Sequence, residues 1–407
     1  MTEPVDSQLD EKIQLQYRVW KKNTPFLYDY ISTYSLLWPS LCVSFFPDLE
    51  TTVESQEVLL QRLLLGTFTL GQSIDSISML QLPYYKNLNQ NLDIDRLNFN
   101  PDKLEFELGK VSKKKMSVLQ KINHLGDVNK LRYMPQNADI IASGNNMGNL
   151  VIYNRTKHSS YNTINTDINT PDLILGEQEI DENQDIYAID WNRQIEGMIA
   201  SGKMNGRIDI YDIKSQFKDK DNTTIKPIKS ILNVAGVNDI EWVRQHDSIF
   251  CIVDEAGHLK LIDMRTDSPT IDKKILPNAI NSVSINPMNQ QYLSTGDSKG
   301  VVEVWDIRNL DQGTSLFNLS HHTDSITQVK WHPKFHNILA SSSSDKFLKI
   351  FDVDKQPDPL IFNHGGHMLG VNDFDWSLHD DWMVASVADD NSLHVWKPSK
   401  EIVKSYS

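Results

Sequence analysis

The stretch Gln328-Val329-Lys330-Trp331-His332-Pro333, followed by Ile338-Leu339-Ala340-Ser341-Ser342 and Lys346-Phe347-Leu348-Lys349-Ile350-Phe351-Asp352, reads as three short strands joined by tight turns. Trp331 lies in the first strand, Leu339 and Ala340 in the second, and Phe351-Asp352 closes the third. Twenty positions separate Trp331 from Phe351. An apolar pair with that spacing occurs six times: Tyr133 and Tyr153, Trp191 and Tyr211, Trp242 and Ile262, Ile285 and Trp305, Trp331 and Phe351, Trp376 and Trp396. Successive starts are 58, 51, 43, 46 and 45 residues apart, so length varies between units and not inside them.

Within each unit the offsets carry physical meaning. Fifteen positions after each start stand Gly148, Gly206, Gly257, Gly300, Lys346 and Asn391; four glycines and an asparagine suit a hairpin that needs positive φ. Nine positions after each start stand Ala142, Ala200, Cys251, Ser294, Ala340 and Ala385, small enough to let a neighbouring sheet approach. After the closing residue comes Asn154, Asp212, Asp263, Asp306, Asp352 or Lys397, and Trp305-Asp306 is the dipeptide that marks WD40 propeller blades. One such sheet cannot bury both its faces, whereas radial stacking does so and leaves only short edges. A β-sandwich with accidental spacing would not repeat one internal offset six times. With a first blade drawn from Val58–Leu70, Ser73–Leu82 and Met116–Ile122, the expected fold is all-β: a seven-bladed WD40 β-propeller over residues 37–407, with an N-terminal α-helical extension over residues 1–36.

Composition sets limits on function. The 407 residues carry a net charge of −14, which either disfavours direct nucleic-acid binding and favours basic partners or serves ordinary solubility. No run of 18 apolar residues is present, so no membrane span is expected. The two cysteines, Cys42 and Cys251, are far apart in sequence, which suits a reducing intracellular compartment and provides no zinc site.

Leu9, Ile13, Tyr17 and Trp20 fall on one face of a helix. Asn23-Thr24-Pro25 reads as a stop and restart, with Phe26, Leu27, Tyr30, Ile31 and Tyr34 as the apolar stripe of a second helix. That stripe packs on the ring and has apolar surface to spare for a partner helix. Trp38-Pro39-Ser40-Leu41 through Phe46-Pro47 is extended and helps close the ring, by completing the last blade, opening the first, or both. Tyr84–Lys115, Thr156–Gln184 and Lys214–Lys229 are polar insertions. The first includes Lys113-Lys114-Lys115, a solvated run or a weak nuclear signal; the second includes Glu177, Glu179, Asp181, Glu182 and Asp185. The loop Asp354-Lys355-Gln356-Pro357-Asp358-Pro359 puts carboxylates beside the strand residues Leu360, Ile361 and Phe362, a combination suited to a basic amphipathic helix.

No phosphate loop, zinc-protease motif or serine-hydrolase elbow occurs, and no nucleophile, base and orienting group assemble. No cofactor, metal site or catalytic residue is therefore expected. His321, His322, His364 and His367 precede blade starts and read as turn histidines bonded within a blade. Asp263-Met264-Arg265 and Asp306-Ile307-Arg308 read as local ion pairs; the alternative is a docking motif of a ubiquitin-ligase substrate receptor.

Trp20-Lys21-Lys22-Asn23-Thr24-Pro25-Phe26-Leu27-Tyr28-Asp29, Trp38-Pro39-Ser40-Leu41, Lys121-Ile122-Asn123-His124, Arg132-Tyr133-Met134-Pro135-Gln136-Asn137, Thr156-Lys157-His158 and His364-Gly365-Gly366-His367 together resemble the retinoblastoma-binding, histone-binding WD40 proteins. The resemblance covers nearly the whole chain. Phe45-Phe46-Pro47-Asp48-Leu49 and the run from Gly365 to Asp373 look most similar to the fungal small subunit of chromatin assembly factor 1. The type B histone acetyltransferase subunit is a near paralogue, and the wider family serves deacetylase, remodelling and Polycomb complexes. The resemblance implies a nuclear, non-catalytic histone chaperone with a cytoplasmic pool, acting in nucleosome assembly at DNA replication, with the large and middle subunits of that factor and the H3–H4 dimer as partners.

It also implies two sites. The first helix of histone H4 would lie in a groove with Phe26, Leu27, Tyr30, Ile31, Leu360, Ile361 and Phe362 as apolar walls and Asp354 and Asp358 facing an H4 arginine, on a loop much shorter here than in animal relatives. The histone H3 tail would meet one mouth of the ring at Asp127, Asn129, Asp185, Tyr187 and Asp389. Asn238, Ala279 and Ser325 stand where the family carries acids, and Thr327 replaces an aromatic residue, so the expectation is a weaker or altered H3-tail site.

Overall fold

The residue that starts each twenty-residue unit lies at or one residue before the end of an inner strand, and where it is tryptophan its indole ties that strand to the preceding blade. Trp191 Nε1 donates to the Arg132 carbonyl at 3.0 Å, Trp242 to Asp190 at 3.1 Å, Trp331 to Ser284 at 3.1 Å and Trp376 to Lys330 at 3.4 Å. Carboxylates one and three positions earlier bond forward. Asp190 accepts from the Trp242 amide, Asp239 from Val283 and Glu241 from Ile285. The same pattern closes the circle, since Asp373 accepts from the Val43 amide and Asp375 from Phe45. A buried carboxylate needs such partners.

The computed structural model describes residues 5–52, 55–85, 98–100, 105–107, 116–160, 168–176, 184–216, 224–266 and 268–404. Seven antiparallel sheets form the blades of the ring, with the inner strands side by side around a central channel. Blade 1 comprises Val43–Thr52, Ser55–Gly66, Ser76–Tyr85 and Ser117–Asn123. Blade 2 gains a fifth strand, Thr224–Ile225, which pairs parallel with Leu173–Leu175 and buries Ile225, so part of the Lys214–Lys229 insertion reaches back to an earlier blade. All six residues fifteen positions into the units have positive φ, Lys346 and Asn391 included. All six residues nine positions in are fully buried.

The N-terminal segment differs from the sequence expectation. A single helix, α1 (Val5–Leu27), runs through Pro25, and Tyr28–Ser35 is a strand, β1, paired antiparallel with Ser392–Pro398. The expected second helix over Phe26–Tyr34 is therefore replaced after Leu27, and residues 28–35 belong to the ring. Proline at position 25 cannot donate to the Lys21 carbonyl, but the Thr24 hydroxyl donates to that oxygen at 2.9 Å, which lets the helix continue one more turn. Beyond it, Tyr28, Tyr30, Ile31, Thr33 and Tyr34 are strand formers and meet the otherwise open edge of blade 7. The chain start thus completes the last blade, while Val43, rather than Trp38, begins the strand that opens the first.

The blade histidines are structural. His322 bridges Ser341 at 2.7 Å and Asp345 at 2.9 Å, and His367 bridges Ser386 at 2.8 Å and Ser392 at 2.7 Å. Arg265 and Arg308 close on Asp263 and Asp306, each at 2.6 Å; these acid–base pairs are local. The run Lys113-Lys114-Lys115 and the acids Glu177, Glu179, Asp181 and Glu182 lie outside the described residues.

Candidate functional site

Helix α1 docks through Trp20. Its indole donates to the Tyr28 hydroxyl at 2.9 Å, and that hydroxyl pairs with His364 Nδ1 at 2.8 Å. His364 Nε2 lies 3.1 Å from His394 Nδ1, and the His394 ring stacks on Trp20. His364, His367 and His394 bring their ring nitrogens within 4.8 Å of one another. Sequence reasoning missed His394, which stands thirty residues from His364 on a strand of the next blade. Both nitrogens of His364 and of His367 already have partners, so the trio serves to hold α1. Burial holds His364 and His394 well below the usual histidine range, and Tyr28 well above the usual tyrosine value. All three are neutral at physiological pH, as an apolar seam requires.

Around that anchor the structure gathers part of the expected groove. Tyr28 and Phe362 are buried in one apolar cluster with Trp20 and Trp396, and Leu27, Ile31 and Ile361 pack against it partly buried. A bulge in β1 between Tyr28 and Tyr30 sets this arrangement. It places Tyr28 and Ile31 on one face and turns Tyr30 to the other, where Tyr30 is buried between blades 7 and 1. Tyr30 is thus an interior residue and not a groove wall. Leu360 packs against the cluster between blades 5 and 6, at the edge of the groove. Asp354 and Asp358 are exposed on the loop that leads into Leu360–His364, and Asp354 lies 3.6 Å from His336.

Phe26, at the last turn of α1, is 44% exposed. Leu15 and Val19, 62% and 52% exposed, lie on the same stripe of the helix, four residues apart and with Val19 seven before Phe26. The sequence reading followed the buried face of α1 and missed this second stripe. Apolar side chains lined up on the outside of a helix are a signal for a partner.

At the opposite edges of the inner strands, Asp127, Asp185 and Tyr187 form a second group on blades 2 and 3. Burial raises the Asp185 carboxyl and the Tyr187 hydroxyl, and the neighbouring Asp127 adds to both shifts. Asp127 is held by Asn146, whose side-chain amide donates to it at 3.0 Å. Asp75, which sequence reasoning missed, feels the same Asp127 charge. Asn129 is buried, with its side-chain Nδ2 unpaired among the described residues. Asp389 stands apart on blade 7, accepting from Asn372 at 2.8 Å. The positions without acids join blades instead: Asn238 donates to the Ile280 carbonyl, Asn281 to Ser325, and Thr327 to the Val371 carbonyl.

A closed ring with local histidine networks, a docked helix beside a partly buried apolar seam, and an acidic mouth defines a WD-repeat binding platform. Comparison with known proteins places it further. Residues 15–86 match the H4-binding family model that describes histone-binding protein RBBP4 and its counterpart in the CAF1 complex. Residues 313–352 and 359–397 match the WD domain, G-beta repeat model. The chain is 35% identical over 417 aligned positions to histone-binding protein MSI1 of Saccharomyces cerevisiae, covering 96% of this chain and 95% of that protein. It belongs to the RBBP4/MSI1-type family of histone-binding WD-repeat proteins.

Proposed function

We propose that the protein is the non-catalytic histone-binding subunit of chromatin assembly factor 1, presenting H3–H4 for nucleosome assembly during DNA replication. One observation carries this reading. Leu27, Ile31 and Ile361 are only partly buried on the cluster that anchors α1, with the exposed carboxylates Asp354 and Asp358 on the loop leading into Leu360–His364. A greasy floor edged by acids fits a short basic amphipathic helix, and the first helix of histone H4 is the occupant proposed. Phe26, Val19 and Leu15 extend the apolar wall along α1. Affinity comes from the buried apolar anchor, and orientation and approach rate come from the carboxylates. Asp127, Asp185 and Tyr187 provide a secondary contact for the H3 tail.

The large and middle subunits of the assembly factor are the expected partners, in the nucleus with a cytoplasmic pool. The same groove would serve a type B histone acetyltransferase or a deacetylase complex, and co-purification of the endogenous assembly separates these readings. The direct test is Leu27→Asp. Binding of an H4 first-helix peptide should be lost while the melting temperature stays within a few degrees of wild type. Retained peptide affinity in the folded variant would refute the groove.

A further inference from the structure

The channel has a second mouth, at the C-terminal ends of the inner strands, away from Asp127 and Asp185. Two residues past the unit starts stand Arg193 and Arg244, and one residue before another start stands Arg132. All three line a cavity of about 210 Å³ inside this mouth, together with Pro135 and Pro333. One water needs only about 10–15 Å³ of such space, so the cavity has room for a compact polyatomic ion.

The guanidinium groups in this cavity are short of acceptors. Arg132 donates to the Leu131 carbonyl at 3.0 Å. Arg244 comes no nearer than 3.9 Å to Glu241, and its buried Nε–H has no acceptor. Arg193 donates no side-chain hydrogen bond among the described residues. Four carboxylates and Lys330 share the cavity. Asp239 spends both oxygens on Ile240, Ser282 and Val283, one oxygen each of Asp190, Glu241 and Asp375 is taken by an amide of the next blade, and Lys330 lies 3.5 Å from the other oxygen of Asp375. Burial also raises Asp190 and Glu241, which weakens their claim on the arginines. Arg244 is lowered by burial and then by Arg193, as two nearby cations must be.

From this convergence we infer that the lower mouth of the channel is a binding site for a small phosphate-class oxyanion, held by Arg132, Arg193 and Arg244. A phosphoryl group offers three oxygens to several planar forks at once, whereas a carboxylate satisfies only one. Protein walls around the pit strengthen the attraction relative to open water, even on a chain whose net charge is −14. The site is independent of the histone groove.

The test titrates the full-length protein with inorganic pyrophosphate, by calorimetry and by the broadening of its phosphorus resonance, in wild type, Arg193→Ala and Arg244→Gln. Saturable binding is expected in wild type, weakened at least tenfold in each variant, with H4 peptide affinity unchanged. Arg193 is exposed, so its variant keeps the fold and decides the outcome if Arg244→Gln does not. Absence of saturable binding at millimolar pyrophosphate, or equal binding by wild type and Arg193→Ala, overturns the proposal. Equal affinity for citrate and pyrophosphate overturns the phosphate class.

Discussion

Trp20 sits directly over Gly366: a β-carbon on that glycine would lie 2.5 Å from Cζ2 of the indole. The glycine is therefore part of the docking surface for α1. Gly366→Ala should push the indole off the ring and break its bond to Tyr28. An overpacking cost of about 1–3 kcal/mol is expected, concentrated in α1. Faster hydrogen exchange and proteolysis of residues 5–27, with the blades still protected, would report it.

Thr24 and Pro25 make a second local test. The Thr24 hydroxyl supplies the hydrogen bond to Lys21 that proline cannot. Thr24→Val should cost about 1 kcal/mol in urea unfolding. In a Pro25→Ala background the backbone donor returns, and the same substitution should cost less. The double-mutant cycle reads the difference directly.

How far the sequence determines this fold depends on whether a constraint is local. The blade period is legible because the units repeat the same demands: positive φ in one hairpin, a small residue in the second strand and, in four of the six, an indole that reaches back to the preceding blade. The strand at Tyr28–Ser35 is not legible. Its bulge puts Tyr28 and Ile31, three residues apart, on one face, which imitates helical spacing. What decides the outcome is the open edge of blade 7, more than 350 residues downstream. Tyr30 follows from the same bulge, since a strand that changes face moves the side chain from the groove to the interior. Leu27, Ile31, Ile361 and Phe362, which share one apolar cluster and line the proposed groove, are legible as apolar surface because their motifs are contiguous in sequence. The outer stripe of Leu15 and Val19 is hidden by the stronger inward stripe of Ile13, Tyr17 and Trp20.

The carboxylates beside the proposed groove should act on approach more than on residence. Asp354 and Asp358 are both exposed. Asp354→Asn combined with Asp358→Asn should slow association with an H4 peptide roughly three- to tenfold at low salt and leave dissociation nearly unchanged. Stopped-flow measurements at two ionic strengths check this, since the difference from wild type should shrink as salt rises.

Glu241 links stability to pH. Burial raises its pKa to about 7, against a smaller lowering by Arg244, while Asp190 raises it and Arg193 lowers it further. In the unfolded chain a glutamate ionises near ~4.3. Between those values the native protein holds a proton that the unfolded chain has lost, so stability falls as pH rises through this window and stays lower above it. Glutamine keeps an oxygen to accept from the Ile285 amide and removes the titration. Glu241→Gln should therefore gain on the order of 1–3 kcal/mol over wild type at pH 8 and show little gain near pH 4.5, as urea denaturation at both values would reveal.

The H3-tail face should bind weakly. Asp127, Asp185 and Tyr187 form a group, but burial and mutual repulsion raise the Asp185 carboxyl, and Asp389 is engaged by Asn372 on a different blade. Around the rest of the mouth, Asn238 and Thr327 spend their polar groups on neighbouring backbone carbonyls. A lysine- and arginine-bearing tail thus meets one acidic patch where a ring of acids would hold it at several points. The expected order is H4 helix over H3 tail by at least about tenfold, or ~1.4 kcal/mol, in fluorescence titrations under identical buffer. Tyr187→Ala should remove most of the remaining tail affinity and leave the H4 helix unaffected, because the two surfaces share no residue. A tail that binds as tightly as the H4 helix, or a Tyr187→Ala variant that weakens both, would mean that the two sites are coupled through the ring.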